Sequence, residues 1–461
     1  RGITEVAATA TGTVNFDASS ALSTQALTMT GSATASSTLT GGSGNDTITG
    51  SADNDLLTGN LGNDSLVAGS GADTLVGGLG ADYIDGGAGD ADYYSAEGTN
   101  ATQPEGGVAN SVGQVINLSA STLTAAQIYD ATGGSSAGLY TSAGTQNVAS
   151  NTAAYLASHA SMGVGLATTV DTLVGIENVI GSGGSDYIVG SATNNTIDGG
   201  SGADTIDGGS GDDNLTGGAG VNKFLITAGS DTVNDLKGTS TDADVIVVSS
   251  GATLTATMSA DWDATSATSN AGTATINMAG GTGADDIDLS LATLSGTIGY
   301  TVNAHATTDS SITGSNGADT IVGGSGNDLL EGGSGVDSIT AGLGDDTVFG
   351  GAAGDTIVLA TGGSDVLKYT AAAQGGDTAS GFAAADDGFL LLESAFGDTS
   401  TWVSHALVTT TNFQTYNETS TALSSSAQDL NGSGNTTFGF VVVGASTGTA
   451  GAAVYYTSNM G

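Results

Sequence analysis

Cysteine is absent from this 461-residue chain, and proline occurs once. No disulfide can staple the fold, and stiff proline turns do not shape it. Only four residues are basic, Arg1, Lys223, Lys237 and Lys368, against 47 acidic ones, for a formal charge of −43. Binding to a phosphate backbone is excluded as a main function, because nothing could neutralise the phosphates. Salt bridges cannot absorb the acids either. Aromatic residues make up 5% of the chain, too few for a conventional core of Phe, Trp and Leu. No stretch approaches the ~18 consecutive apolar residues of a membrane-spanning helix. The numbered chain begins at Arg1 with neither Met nor a basic-then-apolar leader, which reads as a mature form or a fragment.

What is present is glycine, 77 of them, and a strict nine-residue period. One array runs over 41–85 as GGSGNDTIT, GSADNDLLT, GNLGNDSLV, AGSGADTLV and GGLGADYID. A second covers 181–225: GSGGSDYIV, GSATNNTID, GGSGADTID, GGSGDDNLT and GGAGVNKFL. A third covers 314–358: GSNGADTIV, GGSGNDLLE, GGSGVDSIT, AGLGDDTVF and GGAAGDTIV. Of these fifteen units, thirteen carry Asp at position six and two carry Asn, Asn195 and Asn222. Position eight is Ile, Leu or Val except for Phe224.

The period has a physical reading. Glycines at positions one, two and four allow the positive-φ backbone of a tight turn. The last three residues form a short strand whose middle side chain points inward. Such a strand buries nothing alone, so units must stack. Two turns and two strands close a coil of about eighteen residues, giving an all-β parallel β-roll, or β-helix, with an aliphatic ladder between two sheets. Stacked turns place Asp above Asp at ~4.8 Å. Bare carboxylates that close repel one another, and Ca²⁺ resolves this by taking six to eight oxygens from carboxylates and carbonyls. The candidate ligands are Asp46, Asp55, Asp64, Asp73 and Asp82, then Asp186, Asp204 and Asp213, then Asp319, Asp328, Asp337, Asp346 and Asp355. Asn195 is a weaker candidate, because an amide oxygen lacks the charge.

The units match the pattern G-G-x-G-x-D-x-U-x and resemble the repeats-in-toxin (RTX) family of calcium-binding β-rolls. After the second array, Phe224, Asp231, Val233, Asp235, Asp244 and Ile246 are similar to the family's closing segment. Asp377, Phe382 and Asp387 follow the third array likewise, with Gly381 in place of an Asp. The resemblance adds Asp231 and Asp377 as ligands. It also identifies DTLVGIENVIGSGGSD as a lead-in, whose Leu173, Ile176, Val179 and Ile180 would cap the open end of the ladder.

This reading divides the chain into a β-rich segment (1–40), a first roll (41–94) and a connector with β pieces and a short helix at 150–163 (95–170). There follow a second roll (171–248), a β-rich connector (249–313), a third roll (314–388) and a β-rich tail (389–461) with strands at FGFVVV and AAVYY. Catalytic signals are chance matches or isolated residues. Ser136 in GSSAG and Ser446 in GASTG sit in a Gly/Ser-rich background with no helix behind them. His159, His305 and His405 lie in no H-E-x-x-H motif, and Asp212–Asp213 falls in the repeat phase. The chain is expected not to be an enzyme.

The resemblance implies export through a type I channel and folding on Ca²⁺ outside the cell, where binding energy becomes folding energy. On the order of ten ions are expected, at about one per stacked turn. Thirteen would move the formal charge from −43 to about −17. Composition and repeats resemble bacterial surface-layer proteins, so self-association into a lattice or filament is the leading expectation, with a cell-surface polysaccharide as a second partner. The alternatives are a calcium-dependent adhesin region and the export module of a larger secreted enzyme or toxin.

Overall fold

The computed structural model describes residues 5–7, 12–19, 25–80, 82–88, 92–95, 115–118, 147–150, 169–239, 243–278, 285–359, 362–369, 377–381, 387–391, 439–444 and 452–457. The chain divides into two compact units, one of Arg1–Asp235 with Asp244–Leu254 and one of Leu236–Ala243 with Thr255–Gly461. The helix expected at 150–163 lies outside the described residues beyond Ser150, which ends the strand Asn147–Ser150.

In the first unit every coil of the first array contributes one strand to each of two parallel sheets. Ile48 pairs with Leu66 and Leu66 with Ile84 on one sheet, while Leu39, Leu57 and Leu75 align on the other. Each step is eighteen residues, the predicted coil. The central residue of every repeat strand is buried, including Ile48, Leu57, Leu66, Leu75 and Ile84 here and Ile188, Ile197, Ile206, Leu215 and Phe224 in the second array. Burying one such side chain contributes about 2 kcal/mol. The flanking residues point out, as in Asn214–Thr216.

The N-terminal segment adds coils of the same kind, because Glu5–Ala7 pairs with Thr28–Thr30 and Val14–Asp17 with Ser37–Thr40. The first two arrays also join. Leu173 pairs with Ile84, and Val179 pairs with Tyr94 on one side and Ile197 on the other. The expected cap at Leu173, Ile176, Val179 and Ile180 is therefore corrected to a bridge. A short parallel strand has two hydrogen-bonding edges, and here both are used.

The second unit continues the third array on the same plan. Ile321, Ile339 and Ile357 stack on one sheet and Ile312, Leu330, Val348 and Leu367 on the other. Ahead of the array the coils are wider: Trp262 pairs with Ile287 and Ile276 with Val302, at 25 and 26 residues per turn. Their larger interior holds Trp262, Met258, Met278 and Tyr300, all buried. The expected tail strands form Gly439–Gly444 and Ala452–Thr457, an antiparallel pair.

Glycine is required where the turns cross. Gly71 has φ 136°, and a Cβ added there would lie 2.9 Å from the Asp53 carbonyl carbon of the coil before. Ala353 breaks this rule, holding φ 96° at the fourth position of its unit, where Gly335 and Gly344 have φ 128° and 121°. Left-handed backbone strains an L side chain. Ala353→Gly is expected to stabilise the calcium-loaded chain by about 1 kcal/mol in a denaturant melt; a loss of stability would show that the turn relaxes instead.

Candidate metal centre

The position-six side chains form columns along each stack, tied by a one-way hydrogen-bond ladder. Each Asp amide donates to Oδ1 of the Asp one coil further on. In the first unit Asp46 donates to Asp64 at 2.6 Å and Asp64 to Asp82 at 2.7 Å. The opposite column runs from Asp55 to Asp73 at 2.6 Å and from Asp73 to Asp92 at 2.9 Å. It crosses the join, because the Asp92 amide donates to Glu177 Oε2 at 3.2 Å. In the second array Asp186 donates to Asp204, Asp204 to Asn222, Asn195 to Asp213 and Asp213 to Asp231. In the third, the columns are Asp319–Asp337–Asp355–Asp377 and Asp328–Asp346–Asp365–Asp387.

The second oxygen of each carboxylate separates two kinds of turn. In the leading turns it is satisfied from within. Oδ2 of Asp46, Asp55, Asp186, Asp319 and Asp328 accepts the amide of Gly42, Ser51, Ser182, Ser315 and Gly324 at 2.6–2.8 Å. At Asp64, Asp73, Asp82, Asp204, Asp213, Asp337, Asp346 and Asp355, behind them, the residue four back is in left-handed backbone, as at Gly78, Gly200 and Gly333, and its amide is not offered. Oδ2 is buried with no hydrogen-bond partner at these eight and also at Asp92, Asp231, Asp365 and Asp377.

Such atoms are costly unless something electropositive faces them. Burial pushes the carboxyl of Asp64 up to about 8, with the Asp82 and Asp46 charges adding to it. Burial and then the Asp186 charge push Asp204 up to about 9. Asp73, Asp213 and Asp346 rise to about 6, again chiefly by burial. The four basic residues of the chain cannot balance these columns.

The donor set fits a hard divalent cation. Among the described residues no three acidic or His side chains converge on one point, so backbone carbonyls must complete any shell. The glycine that opens each turn leaves the space for it. A Cβ at Gly59 would collide with both Asp64 Oδ2 and the Gly77 carbonyl oxygen, and one at Gly332 with Asp337 Oδ2 and the Gly350 carbonyl oxygen. A carboxylate oxygen and a carbonyl oxygen from the next coil thus face one pocket. Ca²⁺ accepts this mixture, and its charge would neutralise the column.

The family model of the RTX calcium-binding nonapeptide repeat matches residues 35–66, 58–93, 173–206, 180–215, 189–224, 198–233, 313–348, 322–357 and 331–367. The three arrays are RTX calcium-binding repeats. Comparison with curated proteins gave no match. The RTX match covers all fifteen units read from the sequence.

Twelve of the sequence-derived candidates, with Asp231, lie in these columns as buried carboxylates, and so do Asp73 and Asp377. Asn195 differs. Its Oδ1 accepts the Ser191 amide at 2.6 Å and its amide donates to the Glu177 carbonyl, so hydrogen bonds close this rung. Four carboxylates join the columns that the repeat phase did not assign as ligands: Asp92, Asp244, Asp365 and Asp387, each buried and each accepting an amide from the coil before. Asp92 and Asp365 follow their predecessors by ten residues rather than nine, which hides them from a fixed period. The Asp-x-U of DYY and DVL was the readable signal. Asp235 is held apart from the column, accepting the Gly217 and Gly218 amides at 2.9 and 2.6 Å. His305 caps its own turn, its Nδ1 accepting the Thr307 and Thr308 amides. Phe382, His159, His405 and Ser136 lie outside the described residues, as does Ser446.

Two outcomes follow. Asp64→Asn or Asp346→Asn should each lower the bound-calcium count measured by elemental analysis, whereas Asp46→Asn, in a leading turn, should leave it unchanged; equal losses would mean that leading turns bind too. The second concerns pH. In the metal-free fold the column carboxyls are raised from 3.8 to about 6–9. Between those values the folded chain holds more protons than the unfolded one, so its stability falls as pH rises. In chelator, circular dichroism should show more β structure near pH 4.5 than near pH 8, and Ca²⁺ should reverse that order.

Proposed function

We propose that the chain is a secreted, calcium-dependent structural protein of the bacterial cell surface, which folds on Ca²⁺ and self-associates into a layer or filament. The observation that carries this reading is the run of orphaned, buried carboxylate oxygens along every column. A fold that keeps such rows dry requires a cation in abundance, and millimolar Ca²⁺ is an extracellular condition. At low Ca²⁺ the same rows hold the chain open by repulsion, which suits export before folding.

Self-association is supported by charge and by surface. A chain at −43 repels its own copies, and each bound Ca²⁺ removes two units of that charge. The second unit also exposes Leu291, Ile298, Leu329, Val336 and Leu343, uncharged positions that copies can share. The reading assigns the chain no chemistry beyond cation binding, and export by a type I channel and attachment to surface polysaccharide are parts of it.

Far-UV circular dichroism with light scattering, run from excess chelator to millimolar Ca²⁺ with Mg²⁺ as control, tests the proposal. β signal and large particles should appear together with Ca²⁺ and vanish with chelator. Folding into a stable monomer would replace the structural reading with a monomeric adhesin or export module.

A further inference from the structure

One sheet of the second unit carries opposite charges at the two ends of its outer face. The strand Thr253–Asp263 turns Trp262 inward and Asp261 and Asp263 outward. Its neighbour Asp285–Asp288 turns Ile287 inward and Asp286 and Asp288 outward. Asp263 stands opposite Asp288, and the Asp286 amide donates to Asp261 Oδ1 at 3.2 Å. Four carboxylates are thus sheet neighbours, and like charges so placed repel one another.

The other end is basic and apolar. From Ile287 the inward ladder passes through Ile312, Leu330 and Val348 to Leu367, strand by strand. Lys368 points outward beside Leu367, and its ammonium lies 4.3 Å from the centroid of the Phe349 ring on the preceding strand. Among the described residues no acid pairs with it, although the chain has 47 acids and only four bases. Five strand steps, about 24 Å, separate Lys368 from Asp263. Glu331 is the one charged residue that points outward between these ends, and Leu329, 44% exposed, lies near the middle.

This order of charges is complementary to itself. A second copy, turned over about an axis parallel to the strands and between Ile312 and Leu330, presents the same face in reverse order. Each Lys368 then meets Asp263 of the other copy, and the two Leu329 side chains lie next to the axis. A two-fold contact of this kind uses one patch twice.

We propose that this face is a two-fold interface between copies of the chain, with Lys368 of each copy set into the acidic end of the other and Leu329 at the centre. At roughly 24 by 10 Å it is small beside the ~800 Å² per partner of a stable dimer. One such contact is weak, and it gains strength when repeated in an assembly. The proposal rests on the self-association reading and gives it a surface and a symmetry.

The chain has no cysteine, so a disulfide formed by a single introduced one joins two copies. Full-length Leu329→Cys, loaded with Ca²⁺ and mildly oxidised, should give covalent dimers on a denaturing gel. Leu343→Cys, which is 54% exposed but lies away from this face in a turn, should not. Adding Lys368→Glu or Asp263→Lys to Leu329→Cys should each lower the dimer yield about tenfold, because like charges then meet. Mixing those two variants should restore it, since each Glu then faces a Lys and each native Lys an Asp. The restored yield also shows that both variants are folded. Equal trapping through Leu343→Cys, or a Leu329→Cys yield that ignores Lys368→Glu, overturns the interface. Large Ca²⁺-dependent particles without Leu329→Cys dimers overturn the interface and leave the self-association reading standing. A wild type that stays monomeric in millimolar Ca²⁺ overturns both.

Discussion

The fold depends on burying carboxylates that it cannot neutralise with its own side chains. Each column places one acid per coil, and the amide of the preceding coil satisfies one oxygen of each. That bond orients the group but leaves its charge. An ordinary globular protein would pair such acids with Lys or Arg. This chain instead has four basic residues in total. The stability of the stack is therefore a property of the chain and its cations together, and aliphatic burial supplies shape without supplying a complete fold.

The two kinds of turn divide the work along a stack. Leading turns close on themselves through Ser or Gly amides, as at Ser182 with Asp186, and carry no orphaned oxygen. Eight of the turns behind them hold left-handed backbone four residues before the acid and leave Oδ2 open. Asn195 shows a third solution, in which an amide nitrogen does the work of a cation by reaching the Glu177 carbonyl. A stack can thus begin, or be rejoined, at a rung held by hydrogen bonds alone.

Much of this was readable from residues. The inward position of Ile48, Leu57 and their equivalents follows from strand alternation, and the eighteen-residue coil from two turns of nine. The Asp columns follow from phase. Other features were hidden for physical reasons. Asp92 and Asp365 sit one residue out of phase, yet the strands they lead into keep the ladder, with Tyr94 opposite Leu75 and Leu367 opposite Val348. The wide coils around Trp262 take 25 or 26 residues a turn, and the single unit GGTGADDID (280–288) beside them stands outside the three arrays, so a nine-residue period does not mark them. The merging of the first two arrays is invisible locally, since parallel pairing depends on which edges are free, and sequence distance does not report that.

That join has a kinetic consequence. Within each of the first two arrays a coil meets its neighbour about eighteen residues away, and ordering can spread from coil to coil. At the join, Asp92 must find Glu177 across 85 residues. Closing that longer loop costs roughly 1.4 kcal/mol more than closing an ordinary coil, about a tenfold slower encounter. The arrays on either side are thus set to order as separate blocks first, and the zippering of one onto the other becomes the step that paces the unit.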